Sequence, residues 1–62
     1  MIGSNIRNLR LEHDMSMKDL ANKLGTTDSA VCRWEHGLAK VSVEMAIKMA
    51  DLFQISLDEL VR

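Results

Sequence analysis

The sequence predicts an all-α protein of five short helices, and three observations lead there. Its 62 residues contain no proline and only three glycines. β-branched residues are few, and the apolar residues recur at helical spacing rather than at every second position. Ser16, Thr27, Ser42 and Ser56 stand immediately before apolar-periodic stretches, where a side-chain oxygen is needed to cap the first free N–H groups of a helix.

Taken in order, helix one runs from about Ile2 or Ser4 to His13, with Ile2, Ile6 and Leu9 on one face. Asp14 and Met15 form a short connection. Ser16 caps helix two, and Asp19 completes a weak capping box and complements the helix dipole. Helix two spans about Met17 to Leu24 with Leu20, Ala21 and Leu24 inward, and Gly25 ends it, free to take positive φ. Thr27 caps helix three, which carries Asp28 in its first turn and stops near Glu35 or His36, ahead of Gly37. After the loop from Leu38 to Val41, Ser42 caps helix four, with Ala46, Ile47, Ala50 and Phe53 expected inward. Gln54 is an unusual residue at its end, where Gly or Asn is easier. The run Ser56 to Glu59 is a capping box for a short helix five ending near Arg62.

The run from Met17 to His36 is the most specific feature. Counting from Met17, apolar residues fall at the fourth, eighth, fifteenth and eighteenth places (Leu20, Leu24, Val31, Trp34). The fifth is Ala21, small enough for one helix to cross another closely, and the ninth is Gly25, where the chain turns sharply. Thr26 is a mild departure at a place that is usually apolar. This is the helix-turn-helix arrangement by which small proteins present a helix to the major groove of DNA. The plainer alternative is an ordinary helical hairpin in a small bundle. The whole chain, 1–62, is read as one domain with the motif over 17–36.

Composition limits the other classes. So short a chain is marginally stable alone and needs a good helical core or a dimer. Cys32 is the only cysteine, so no internal disulfide forms. Cys32, His13 and His36 make no metal-ligand set at usual spacings, and no metal or other cofactor is expected. Neither a signal peptide nor an apolar run near the roughly 18 residues of a membrane span is present, and a free thiol without an export signal favours the cytoplasm. Nothing suggests a nucleophile–base pair or a phosphate-cradling loop, so an enzyme has almost no support; no small-molecule ligand is inferred. The net charge of −1 is not that of a typical DNA binder. Residues 1–40 carry six basic against five acidic side chains, and residues 41–62 two against four. DNA binding must therefore come from local placement.

The segments IGSNIRNLR, SMKDLANKLGTTDSAVCRWEHG and AIKMADLFQISLDEL, spanning Ile2 to about Leu60, resemble the lambda-repressor and Cro-like helix-turn-helix family, also called the Xre family. The resemblance implies a compact five-helix lambda-repressor-like DNA-binding fold whose third helix enters the major groove. It also implies transcriptional regulation, commonly as a dimer. Arg10 and Glu35 match positions that commonly form a partly buried ion pair; the alternative is two solvated surface charges. The resemblance places Asp28, Ser29, Cys32 and Arg33 at or near base edges. Arg33 has the clearest chemistry, bonding guanine O6 and N7 together, or else contacting phosphate. Asp28 either accepts from cytosine N4 or serves only the helix dipole. Ser29 is uninformative alone. Cys32 is either an oxidation-sensitive thiol or a small tolerated side chain, and its place well inside the helix favours the second.

Phosphate contacts are expected from Ser16, the N–H of Met17, Thr27, His36 and Lys40. Here the chain departs from its relatives: position 17 is commonly Gln, whose amide contacts phosphate, and Leu38 sits where basic residues are frequent. Trp34 is expected in the core, and Met15, Met45 and Met49 in the core or an interface. Ile55, Leu57, Leu60 and Val61 exceed what a short terminal helix needs for docking, so part of the set is expected to form a homodimer surface; the alternative is capping of the monomer core. The function expected is a sequence-specific DNA-binding regulator, a repressor acting as a dimer on a pseudo-palindromic double-stranded operator. A protein-interaction module of the same fold with little DNA affinity is the second reading, and fold alone does not decide between them.

Overall fold

The structure, a computed structural model, describes residues 2–62, so the first residue of the expected 1–62 domain lies outside it. Among the described residues the regular structure is five helices: α1 (Ile2–Glu12), α2 (Met17–Leu24), α3 (Asp28–Glu35), α4 (Val43–Phe53) and α5 (Leu57–Val61).

The ends of these helices follow one rule. Past each of the first four, one residue turns left-handed: Asp14 (φ 54°), Gly25 (φ 73°), Gly37 (φ 71°) and Gln54 (φ 56°). The next N–H then reaches back five residues to a free helical carbonyl. Met15 bonds to Arg10 at 3.0 Å, Thr26 to Ala21 at 2.9 Å, Leu38 to Arg33 at 2.8 Å and Ile55 to Ala50 at 3.0 Å. This closes the otherwise unsatisfied C-terminal carbonyls. After three of these turns the following residue is already the next N-cap: Ser16, Thr27 and Ser56 accept the N–H of Asp19, Ala30 and Glu59. Three residues thus end one helix, reverse the chain and start the next. The middle residues, Met15, Thr26 and Ile55, are half-buried. Thr26 is therefore at a place that favours an apolar group, as the pattern suggested.

The core is built from Ile6, Leu20, Ala21, Leu24, Val31, Trp34, Ala46, Met49, Phe53 and Leu60. One expectation needs correcting. Ile47 does not point inward but is 47% exposed, and Met49 is fully buried instead. The inward stripe of α4 is Ala46, Met49, Ala50 and Phe53, spaced three, four and seven apart, and Ile47 lies about 60° beyond its edge at Ala50. Met15 and Met45 are half-buried against the core.

The buried residues of α1 are Gly3, Ile6 and Arg10. Gly3 is needed for a close approach: a Cβ there would lie 2.6 Å from the Trp34 carbonyl oxygen and 2.9 Å from that of Glu35. The N-terminal end of α1 thus rests directly on the C-terminal backbone of α3.

Candidate nucleic-acid interface

The third helix is held on two sides. Val31, fully buried, and Trp34, 8% exposed, anchor it to the core, and Ala21 on α2 is buried beneath the crossing. At its C-terminal end Glu35 meets Arg10 of α1. Arg10 Nε donates to Glu35 Oε2 at 2.7 Å, Nη2 to Oε1 at 3.1 Å, and Nη1 to the Met15 carbonyl at 2.9 Å. The side chains are 10% and 2% exposed. Two parallel charge-assisted bonds fix both distance and plane. The bond to Glu35 raises the guanidinium pKa above its ordinary value against the opposing effect of burial.

With that face fixed, α3 turns the rest of its surface outward. Asp28, Ser29 and Arg33 are exposed, while Cys32 is half-buried. Cys32 Sγ lies 3.6 Å from His36 Nδ1, and the same nitrogen is 2.8 Å from the Cys32 carbonyl oxygen. A carbonyl partner requires the proton on Nδ1, which leaves Nε2 of the neutral ring as an acceptor.

The start of α2 is already occupied in part. Ser16 Oγ accepts the Asp19 N–H at 3.0 Å, and the Ser16 N–H donates to Asp19 Oδ2 at 3.1 Å. That backbone bond, with the Ser16 hydroxyl next, holds the Asp19 carboxyl below the usual aspartate value. An approaching phosphate meets the N–H groups of the first turn, Met17 among them, beside a carboxylate. The Met17 side chain is half-buried against the core and carries no hydrogen-bonding group to offer a phosphate. At α3, Thr27 Oγ1 accepts the Ala30 N–H at 3.2 Å, and Lys40 is exposed in the following loop. Ser16, Thr27, Ser29, Arg33 and Lys40 are all exposed, with Asp19 and Asp28 as acidic neighbours in sequence.

The C-terminal apolar set divides. Leu60 is fully buried, so it belongs to the monomer core and not to a dimer surface; its inward position leaves Leu57 (39% exposed) and Val61 (48%) on the outside. Ile55 is half-buried. Two residues at the site were not singled out from sequence. Gly3 shares a three- and seven-residue spacing with Ile6 and Arg10, a helical stripe hidden because two of its members are not apolar. Asn5 Nδ2 donates to the Leu60 carbonyl at 2.7 Å across 55 residues of sequence, and no local signal announces it.

Among the described residues no group of three His, Cys, Asp or Glu side chains is arranged to hold a metal ion. Among the described residues, too, no helix is long and apolar enough to cross a membrane.

Comparison with known proteins agrees with this geometry. A sequence profile described as helix-turn-helix matches residues 6–60. The chain is similar to the antitoxin PezA of Streptococcus pneumoniae, 33% identical over 61 residues covering 98% of this chain and 39% of that protein. It is also similar to RstR of Vibrio cholerae, a cryptic phage CTXphi transcriptional repressor, at 31% identity over 61 residues, 98% of this chain and 55% of that one. The chain thus spans about half or less of these two relatives. Among solved structures it resembles the restriction-modification controller protein C.AhdI from Aeromonas hydrophila, with a TM-score of 0.86 and 32% identity over 95% of this chain and 86% of that one. The profile match and the crossed pair α2–α3 agree with each other: the chain belongs to the lambda-repressor/Cro-like (Xre) helix-turn-helix family of transcriptional regulators.

Proposed function

We propose that this chain is a sequence-specific DNA-binding transcriptional regulator that lays α3 in the major groove, and that it represses by occluding a promoter as a homodimer on a pseudo-palindromic operator. The observation that carries the proposal is the fixed third helix, buried at Val31 and Trp34 and clamped at Glu35, with Asp28, Ser29 and Arg33 exposed. Such a helix offers side chains to base edges without first having to be ordered. RstR, a transcriptional repressor by name, and C.AhdI, a controller protein by name, are relatives in the same sense. In this reading Asp28, Ser29, Cys32 and Arg33 face the bases, with Cys32 the least accessible. Ser16, Thr27, His36, Lys40 and the Met17 N–H face phosphates. Leu57 and Val61 form the dimer contact, placing the two half-site centres about 34 Å apart. The exclusion of enzyme activity and a location in the cytoplasm fit this role and are proposed with it.

The test is binding to a duplex from the protein's own upstream region and to a scrambled duplex, each at low and moderate salt. With Lys40 as the cationic phosphate contact of each subunit, a dimer neutralises about two phosphates, so affinity should fall roughly tenfold between about 50 and 200 mM salt. Replacing Arg33 by Ala should cost about 1–3 kcal/mol and relax preference at one base. A uniform loss across sequences would reassign Arg33 to phosphate.

A protein-interaction module is the second reading. The carboxylate of Asp19 at the start of α2 and the apolar side chain of Met17 favour it, since both weaken phosphate binding there. Equal and negligible binding to both duplexes would select it.

A further inference from the structure

The reading helix and the dimer-forming helix do not rest mainly on each other. α3 packs chiefly on α1 and α2, and α5 on α1 and α4. α1 is the one helix that is a main partner of both. The alternative route, from α3 through α2 and α4 to α5, crosses three interfaces instead of two.

The contacts on α1 separate by face. Gly3 and Arg10 grip the C-terminal end of α3, one by letting backbones meet and the other through the ion pair. Asn5 stands two residues from Gly3, about 200° around the helix, and its side chain reaches α5. α5 has five residues, too few to hold itself. The Leu60 carbonyl lies in its last turn, where no helical N–H remains to donate to it. Asn5 Nδ2 supplies that donor at 2.7 Å, while the Leu60 side chain is fully buried. Side-chain burial fixes how deeply α5 sits; the Asn5 bond fixes its rotation and its offset along α1. Leu57 and Val61, exposed on the same short helix, are oriented by that bond.

We propose that α1 is the strut that sets the separation between α3 and the dimer axis, and that Asn5 is the positioning residue through which it does so. The spacing of the two half-sites is then written into α1 and not only into the dimer contact. This inference rests on the dimeric DNA-binding reading above.

The experiment uses the 62-residue chain. Wild-type protein selects duplexes from a randomised pool. Affinities are then measured for the selected duplex, for derivatives with the half-sites moved together or apart by one base pair, and for an isolated half-site. One base pair changes both the distance and the facing of the two half-sites, so the wild type should lose about tenfold per step. Asn5→Ala should bind the isolated half-site within about twofold of wild type but lose only about threefold per step, because a looser α5 tolerates the displacement. Asn8→Ala, at an exposed position of the same helix, should keep the wild-type penalty. Asn5→Ser serves as the second variant should the alanine protein prove unfolded by circular dichroism. A folded Asn5 variant with the wild-type spacing penalty overturns the proposal, as does a wild type indifferent to spacing. A wild type that captures no duplex from the pool refutes the DNA-binding reading itself, and the inference falls with it.

Discussion

Removing Glu35 alone should be far more damaging than removing Glu35 and Arg10 together. The carboxylate is 2% exposed and the guanidinium side chain 10%. Glu35→Ala leaves a buried cation that keeps only its bond to the Met15 carbonyl, at 2.9 Å, while two donors lose their acceptor. Breaking a buried pair in this way costs about 3–5 kcal/mol. At about 0.05–0.15 kcal/mol per residue, a chain of this size has roughly 3–9 kcal/mol in all. The single variant should therefore be unfolded or close to it. The double variant Arg10→Met, Glu35→Leu removes both desolvation costs and keeps the volume filled. It leaves the Met15 carbonyl short of one donor, a loss of about 1–3 kcal/mol, against which replacement of the ion pair by packed apolar groups is often neutral or better. It should lie within about 2 kcal/mol of wild type. Urea denaturation followed by circular dichroism, with a slope of about 1 kcal/mol per molar for so small a domain, separates these cases. Because the guanidinium pKa is raised on folding, the pair's contribution is present below its unfolded value and is lost only as pH rises past the folded one. No alkaline loss from this pair should appear at ordinary pH. The reasoning is refuted if Glu35→Ala costs under about 1 kcal/mol, the range of an exposed pair, or if the double variant is as unstable as the single.

Gln54 holds φ 56° and ψ 44°, a conformation that costs an L-residue about 1–2 kcal/mol. Gln54→Gly should stabilise the chain by about 0.5–1 kcal/mol after the added freedom of the unfolded state is counted, read as an upward shift in thermal midpoint. Gly25→Ala should move it the other way by a similar amount through backbone strain alone, since a Cβ at Gly25 meets nothing within 4 Å; a neutral result in both would refute the argument. The Asp19 carboxyl lies below its ordinary value of 3.8 when folded. Its capping contribution is therefore full above the ordinary aspartate range and is lost as pH falls through the folded value. Thermal unfolding of wild type and Asp19→Asn should differ at neutral pH and converge in acid, and a gap that stays constant with pH would count against the capping role.

What was legible in the sequence was whatever has a local cause. Ser16, Thr27, Ser42 and Ser56 announce helix starts because a cap acts on N–H groups within three residues of itself, and all four do so. Gly25 and Gly37 mark turns because positive φ is a property of single residues. The inward half of the motif was legible because α2 and α3 pack on each other immediately. The errors fall where packing is decided at a distance. Apolar residues at 45, 46, 47, 49, 50, 52 and 53 leave the inward stripe of α4 unresolved by period alone, and only the neighbouring helices choose Met49 over Ile47. In α5, Leu57, Leu60 and Val61 are equivalent as apolar residues. The angle at which α5 docks buries Leu60 and leaves the other two outside. Gly3 and Asn5 were invisible for a related reason: one acts by lacking a side chain and the other bonds a carbonyl 55 residues away.

The same contrast bears on how a chain with so little net charge would hold DNA. With a net charge of −1, and with Asp19 and Asp28 in the first turns of both helices of the motif, the long-range field attracts little. Affinity then has to come from contacts that need no reorganisation when they form. The mount of α3 provides for this: a bidentate ion pair, a glycine that lets two backbones touch, and a helix buried at Val31 and Trp34. Acidic groups beside the groove also penalise every site at which they find no donor, which narrows the tolerated sequences as it weakens the average one. On the DNA-binding reading, rigidity and repulsion work together. The fixed helix makes a correct site affordable without a basic surface, and the carboxylates make an incorrect site worse than it would be for a more basic relative.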